Sequence, residues 1–304
     1  MLKGVHVSQG DAIMMLSVTP LLLLAVTASA DVEAYPRADL LVEATDLMRP
    51  DSAGKFQIVD ARSRDKYKAG HIPGAVWVNH EEWSRAFAST QDPSAWKRRL
   101  DALGIRAGSP VVVYDDKRSN DAARIWWILR YWGVNDARLL NGGWHDWQAA
   151  GGPVSTESAK PQASTIALSP QPDRLATKGQ LLEELPQKKW QVVDARSENE
   201  FCGKLEMAKR SGAIPGAVHL EWSDLIDSKT QRFKSAPELA RIFKEAGVDL
   251  SKPTVTHCQS GGRSSVMTFG MELMGARNVR NYYRSWSEWG NADDTPIIKP
   301  SAGK

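Results

Sequence analysis

The chain repeats itself, and that limits its fold more than any other feature. "FQIVDARSRDKYKAGHIPGAVWVNHEEW", starting at Phe56, returns as "WQVVDARSENEFCGKLEMAKRSGAIPGAVHLEW", starting at Trp190. Asp60-Ala61-Arg62 aligns with Asp194-Ala195-Arg196, and Ile72–Val76 aligns with Ile214–Val218 after an insertion in the second copy. Further on, "PVVVYDDKRSNDAARIWWILRYWGVNDARLLNGGWHDW" aligns with "PTVTHCQSGGRSSVMTFGMELMGARNVRNYYRSWSEW", and Trp144/Trp147 coincide with Trp286/Trp289. A repeat of this length calls for one supersecondary plan built twice. Chain length agrees, since 304 residues exceed what one core usually holds, ~250 residues.

Within each copy, strand-like and helix-like pieces alternate. Gln57 to Val59 and Val111 to Tyr114 are short apolar runs, and Asn120 to Trp132 has helical spacing that stops at Gly133. The second copy answers with Gln191 to Val193, Thr254 to His257, and Arg263 to Met274, stopping at Gly275. This order predicts an α/β fold in two tandem domains, each a mostly parallel sheet flanked by helices on both faces. The first domain is placed at 31–154 and the second at 175–304, joined by a Pro/Ser/Gly-rich linker at 155–174. Ligands of such sheets bind beyond the carboxyl ends of the strands.

Residues 1–30 have the pattern of an export signal. An apolar run from Leu16 to Val26 leads into Ala28-Ser29-Ala30. The run is too short and too interrupted by Pro20 to span a bilayer, which needs ~20 apolar residues. The expectation is cleavage after Ala30, a periplasmic or secreted mature chain, and no membrane attachment thereafter. A net charge of +3, with 39 basic against 36 acidic residues and no basic block, excludes a nucleic-acid partner as the reading.

Only two cysteines occur, Cys202 and Cys258. Cys258 ends the predicted strand and precedes Gln259, Ser260, Gly261, Gly262 and Arg263, after which a helix begins. The glycines let backbone amides turn inward, the helix start adds the positive end of its dipole, and Arg263 adds charge. Together they favour a thiolate or an anion attached to it. In the first copy the same position holds Asp115, within "DDKRSND". An aspartate cannot do thiolate chemistry, so the first copy is expected to be inactive. Cys202, in the second-copy insertion, is read as a loop cysteine, with a resolving or disulfide role toward Cys258 as the alternative.

"DAR", "GHIPGAV", "GGWHDWQAAGGPV", "VVDARSENEF", "IPGAV", "HCQSGGRS" and "SWSEWG" together resemble the rhodanese superfamily, in particular its tandem-domain sulfurtransferases. The resemblance runs from about Tyr35 to Pro296. It implies two rhodanese-like domains, with Cys258 taking sulfane sulfur from a small donor as a persulfide. The sulfur then passes to cyanide, a thiol or a protein acceptor, with no metal and no organic cofactor. Phosphatases and arsenate reductases with a related His-Cys…Arg loop are the competing chemistry, but their loop is one residue longer. Here only Gln259, Ser260, Gly261 and Gly262 separate Cys258 from Arg263. A non-turnover sulfur carrier is the other alternative.

Donor recognition departs from the family pattern. The resemblance calls for an arginine where Glu200 stands, and its second arginine falls by count on Lys209, beside Arg210. Gln259 and Ser260 are neutral where the best-known thiosulfate enzymes of the family carry two basic residues, and are more like its mercaptopyruvate loop, whereas Arg263 resembles the bacterial thiosulfate enzymes. Arg196 is a candidate anion-binding residue, although the matching Asp60/Arg62 pair in the inactive copy favours a strand-end brace. His257 is read as a packed core histidine, and Arg284 as a cleft cation or a solvated surface residue. Thiosulfate is the favoured donor and 3-mercaptopyruvate the other.

Overall fold

The computed structural model describes residues 1–2, 4–6, 34–161, 164 and 166–301. Nearly all of the stretch at 1–30, read above as an export signal, therefore lies outside the described residues. Among the described residues, no helix is long and apolar enough to cross a membrane.

Among the described residues, nine strands form two parallel sheets. The first contains β1 (Leu41–Val42), β2 (Gln57–Asp60), β3 (Val76–Trp77), β4 (Val111–Tyr114) and β5 (Ala137–Leu140), ordered β1-β5-β4-β2-β3. The second contains β6 (Gln191–Asp194), β7 (Val218–His219), β8 (Thr254–His257) and β9 (Val279–Asn281), ordered β7-β6-β8-β9. The register repeats with the sequence: Gln57 sits opposite Val111, and Gln191 opposite Thr254. The central strands are buried on both faces, which is why they read as short runs without polar alternation.

Period-two packing still decides which core each side chain joins. Val111 and Val113 face one core, while Val112 and Tyr114 face another on the far side of the sheet. In the second copy, Val192 and Val255 belong to an outer core with Trp286 and Trp289. The inner core is common to both copies. It takes Val59, Val113 and Leu139 from the first and Val193, Phe269 and Val279 from the second. The long helices Asn120–Tyr131 and Gly262–Leu273 meet there. Trp126 packs edge-on against Phe269 with ring centroids 4.8 Å apart. Trp127 stacks on Tyr283 at 5.2 Å.

The conserved internal pattern of each copy has a direct structural use. Arg62 donates to Asp60 and to the Gly70 carbonyl, and lies 4.0 Å over the Trp144 ring. Arg196 does the same with Asp194, the Gly212 carbonyl and Trp286, at 4.1 Å. The "DAR" motif thus ties a strand end to the loop before the next strand and to the tryptophan of the last helix. Arg196 is 1% exposed, with both its carboxylate and its aromatic partner supplied internally. This corrects its placement among the substrate-binding residues: it is a brace.

Candidate active site

Cys258 follows β8 directly, at the carboxyl end of its sheet, and the helix Gly262–Leu273 starts four residues later. Gly261 caps that helix with φ +90°. A Cβ there would come within 2.9 Å of the Tyr283 ring and carbonyl, so the turn requires glycine. The turn brings the Gly261 N–H to within 3.2 Å of Cys258 Sγ, to which it donates. Below the loop, Asn281 binds Ser264 and Ser265, while Ser265 Oγ donates to the Gly261 carbonyl at 2.7 Å. That buried polar network fixes the turn from underneath.

Cys258 is 1% exposed. Burial raises its thiol pKa, but the Arg263 charge, the Ser264 hydroxyl and the amides of Ser264 and Ser260 outweigh it, and the net displacement is downward. The neighbouring His257 is fully buried, with Nε2 3.4 Å from Asp194 Oδ2. Burial pushes its pKa down to about 4 against the pull of Asp194, so it is neutral at ordinary pH. Both cysteines are free thiols, and both are buried.

The first copy, which has no thiol, shows what the loop is shaped to hold. Asp115 takes the cysteine position, and its carboxylate accepts from the amides of Lys117 (3.0 Å), Ser119 (3.0 Å), Asp121 (2.7 Å) and Ala122 (2.8 Å). Burial and Asp121 push this carboxyl up to about 6 against the amides of Ala122, Lys117 and Ser119, all of which favour its charged form. In the first copy, the chain's own carboxylate fills the anion hole. In the second, the occupant is sulfur. The backbone around both is alike: Trp144 N–H caps the Asp115 carbonyl at 2.8 Å, and Trp286 N–H caps the Cys258 carbonyl at 3.0 Å.

Two of the expected loop functions are modified by contacts. Arg263 was expected as a cation facing the donor. It instead makes a two-pronged ion pair with Glu200, at 2.6 and 2.8 Å. Glu200, the departure noted in the sequence, is buried and held below the usual carboxylate range: burial raises its pKa, but Arg263 and Ser197 lower it more. Gln259 donates from Nε2 to the Met207 carbonyl at 3.0 Å, clasping the second-copy insertion. Lys209 is exposed on that insertion, with its backbone N–H bound to Asn291. Arg210 binds the carbonyls of Trp289 and Thr295. Arg284 pairs with Glu288 at 3.1 Å and is largely exposed.

Three contributors were not found from the sequence. Arg124, on the long helix of the first copy, donates to the Ser260 carbonyl at 2.7 Å. Ser285 adopts φ +52° and accepts from the Cys258 N–H at 3.0 Å. Its counterpart in the repeat is Gly143, at φ +55°, and that match was the available signal. Asn281 is the third. An open cavity of about 510 Å³ adjoins the loop, lined by Ser84, Arg85, Ser260, Tyr283 and Arg284. A larger one, about 800 Å³, lies in the first copy around Met48, Phe56 and Trp147. It touches no loop residue and is unrelated to the thiol. Among the described residues, no cluster of three or more His, Cys, Asp or Glu is placed to hold a metal ion.

Comparison with known proteins agrees with the repeat. The profile of the rhodanese-like domain matches residues 43–150 and again 177–292. The chain belongs to the rhodanese-like family. It is 34% identical over 263 residues to a thiosulfate sulfurtransferase of Azotobacter vinelandii, covering 85% of this chain and 96% of that one. It is 33% identical over 249 residues to the sulfur carrier protein TtuD of Thermus thermophilus, covering 77% and 87%. Among solved structures, the 3-mercaptopyruvate sulfurtransferase SseA of Escherichia coli superposes with a TM-score of 0.73 at 27% identity, covering 82% of this chain and 99% of that one. The rhodanese fold of two parallel α/β domains is thus shared along nearly the whole length.

Proposed function

We propose that the chain is a sulfurtransferase that carries sulfane sulfur on Cys258, with thiosulfate as the favoured donor. The observation that carries this reading is the single thiol at the mouth of an amide-lined loop, in the one copy where the anion hole is not filled by a carboxylate. The Cys258 thiolate attacks the outer sulfur of thiosulfate. A new S–S bond forms, the old one breaks, and sulfite leaves with the bonding pair. The persulfide anion then gives its terminal sulfur to cyanide or a thiol, and the thiolate returns. Charge balances in both steps, and neither needs a metal or a redox partner. The inward amides and the Arg263 charge stabilise sulfur anions at each stage.

Donor choice rests on charge and size. A small dianion needs cations and N–H donors rather than a shaped organic pocket. The relatives support both donors, since one is a thiosulfate enzyme and SseA a 3-mercaptopyruvate enzyme. A donor panel tests the reading: thiosulfate with cyanide is expected to turn over faster than 3-mercaptopyruvate with cyanide, and Cys258→Ala to abolish both. Equal turnover in Cys258→Ala would overturn it.

The Glu200–Arg263 pair supports a second reading, because it occupies the hydrogen-bonding arms of a cation that a fast donor site would use. A carrier, as TtuD is named, would load sulfur but release it to cyanide only negligibly, with release restored by a protein acceptor. The export pattern at residues 1–30 supports a periplasmic or secreted enzyme. The first residue of the mature chain, read by mass spectrometry, checks it: Asp31 is expected, and an intact start would refute cleavage.

A further inference from the structure

The thiol site draws on the copy that has no thiol. Arg124 projects from the long helix of the first copy and is half-buried. Its Nη1 donates to Ser84 Oγ at 2.6 Å, to the Ser260 carbonyl at 2.7 Å and to the Tyr283 hydroxyl at 3.2 Å. Its guanidinium lies 5.7 Å from the Tyr283 ring centroid, and Tyr283 is itself stacked on Trp127. No carboxylate among the described residues makes an ion pair with Arg124, whereas Arg263 is paired with Glu200.

The Ser260 carbonyl matters because of what lies across its peptide bond. That carbonyl and the Gly261 N–H belong to one planar trans unit and point in opposite directions. The Gly261 N–H is the group that donates to Cys258 Sγ, at 3.2 Å. A guanidinium on the carbonyl side orients this plane and makes its N–H a stronger donor, because hydrogen bonds in series polarise one another. Charge and dipole thus reach the sulfur through a single peptide.

We propose that Arg124 is a positioning residue for sulfur transfer, supplied by the inactive copy, which holds and polarises the Ser260–Gly261 peptide so that its N–H stabilises the sulfur anion on Cys258. This rests on the reading of Cys258 as the sulfur carrier, but its test does not depend on turnover. Gly262 gives an independent handle. A Cβ there would sit 2.5 Å from Arg124 Nη2 and 2.8 Å from Asn120 Oδ1, both ends of side chains on the long helix of the first copy, and the position is the first residue of a helix. Gly262→Ala is therefore expected to fold while pushing Arg124 aside.

The experiment follows the ultraviolet absorbance of the Cys258 thiolate against pH, in a Cys202→Ser background. Arg124→Met is expected to raise the thiol pKa by about one unit, a tenfold loss of thiolate below that pKa. Gly262→Ala is expected to raise it in the same direction. Arg124→Met combined with Gly262→Ala is expected to add little to Arg124→Met alone, and Arg124→Lys to recover part of the shift. An unchanged pKa in Arg124→Met and in Gly262→Ala, each with native thermal unfolding, would overturn the proposal. If Arg124→Met does not fold, Gly262→Ala decides alone. A pKa shift in a protein that transfers no sulfur would leave the positioning role standing and refute the functional reading instead.

Discussion

Glu200 pairs with Arg263, whose charge lowers the Cys258 thiol pKa. Its carboxylate takes both arms of Arg263, and such bidentate pairs hold geometry as well as charge. Glu200→Gln removes the negative charge and leaves a side chain of similar shape. The sign follows directly: with Arg263 no longer neutralised, the thiolate is favoured over the thiol. The thiol pKa of the variant is expected to fall by roughly half a unit to one unit, and KM for thiosulfate to fall several-fold. A rise in thiol pKa would show that the pair serves to hold the loop and not to temper its charge. Glu200 was legible in the sequence only as a departure. Its partner lies 63 positions away, and no local pattern encodes that meeting. Arg196 was legible for the opposite reason: the copy without a thiol carries the same pair, so its role had to be one that needs no thiol.

The strand-loop-helix unit around Cys258 could be read almost whole. An apolar run, a cysteine, two glycines and a helical pattern are local signals, and the strand Thr254–His257 falls where they place it. The helix starts at Gly262, one residue before the arginine that the sequence suggested. What the sequence could not supply was the support beneath and behind the loop. Asn281 comes from the next strand, Ser285 from the last helix and Arg124 from the other copy, each joined only by folding. Gly261 is where the local requirement is strictest. Gly261→Ala places a side chain at φ +90°, which costs about 1–2 kcal/mol, and drives a Cβ toward the Tyr283 carbonyl. Tm is expected to fall by roughly 2–8 °C and kcat/KM by at least about tenfold. Native Tm with native kcat/KM would mean that the turn does not present its N–H to sulfur as described.

The two copies are joined by more than their linker. One core takes side chains from both sheets, and the two long helices close it with Trp126 on Phe269 and Trp127 on Tyr283. The first copy, though it lacks the thiol, covers the apolar face of the second and supplies Arg124. The repeat aligned Trp144/Trp147 with Trp286/Trp289, which pack in the separate outer cores of the two copies; nothing local marked Trp126 and Trp127 as the rings that meet the second copy. A fragment of residues 175–304 alone would expose that face. It is expected to lose cooperative unfolding and to bind a hydrophobic dye, whereas cooperative unfolding at the Tm of the full chain would show that the second copy stands alone.

All of this converges on one sulfur anion, held on Cys258 by the inward amides of its loop. Intact mass spectrometry of the full chain after incubation with thiosulfate and removal of small molecules reads it most directly. One added sulfur atom per chain is expected, removed by cyanide, retained in Cys202→Ser and absent in Cys258→Ala. No added sulfur on the native chain with thiosulfate or 3-mercaptopyruvate, or an adduct that survives in Cys258→Ala, would contradict it.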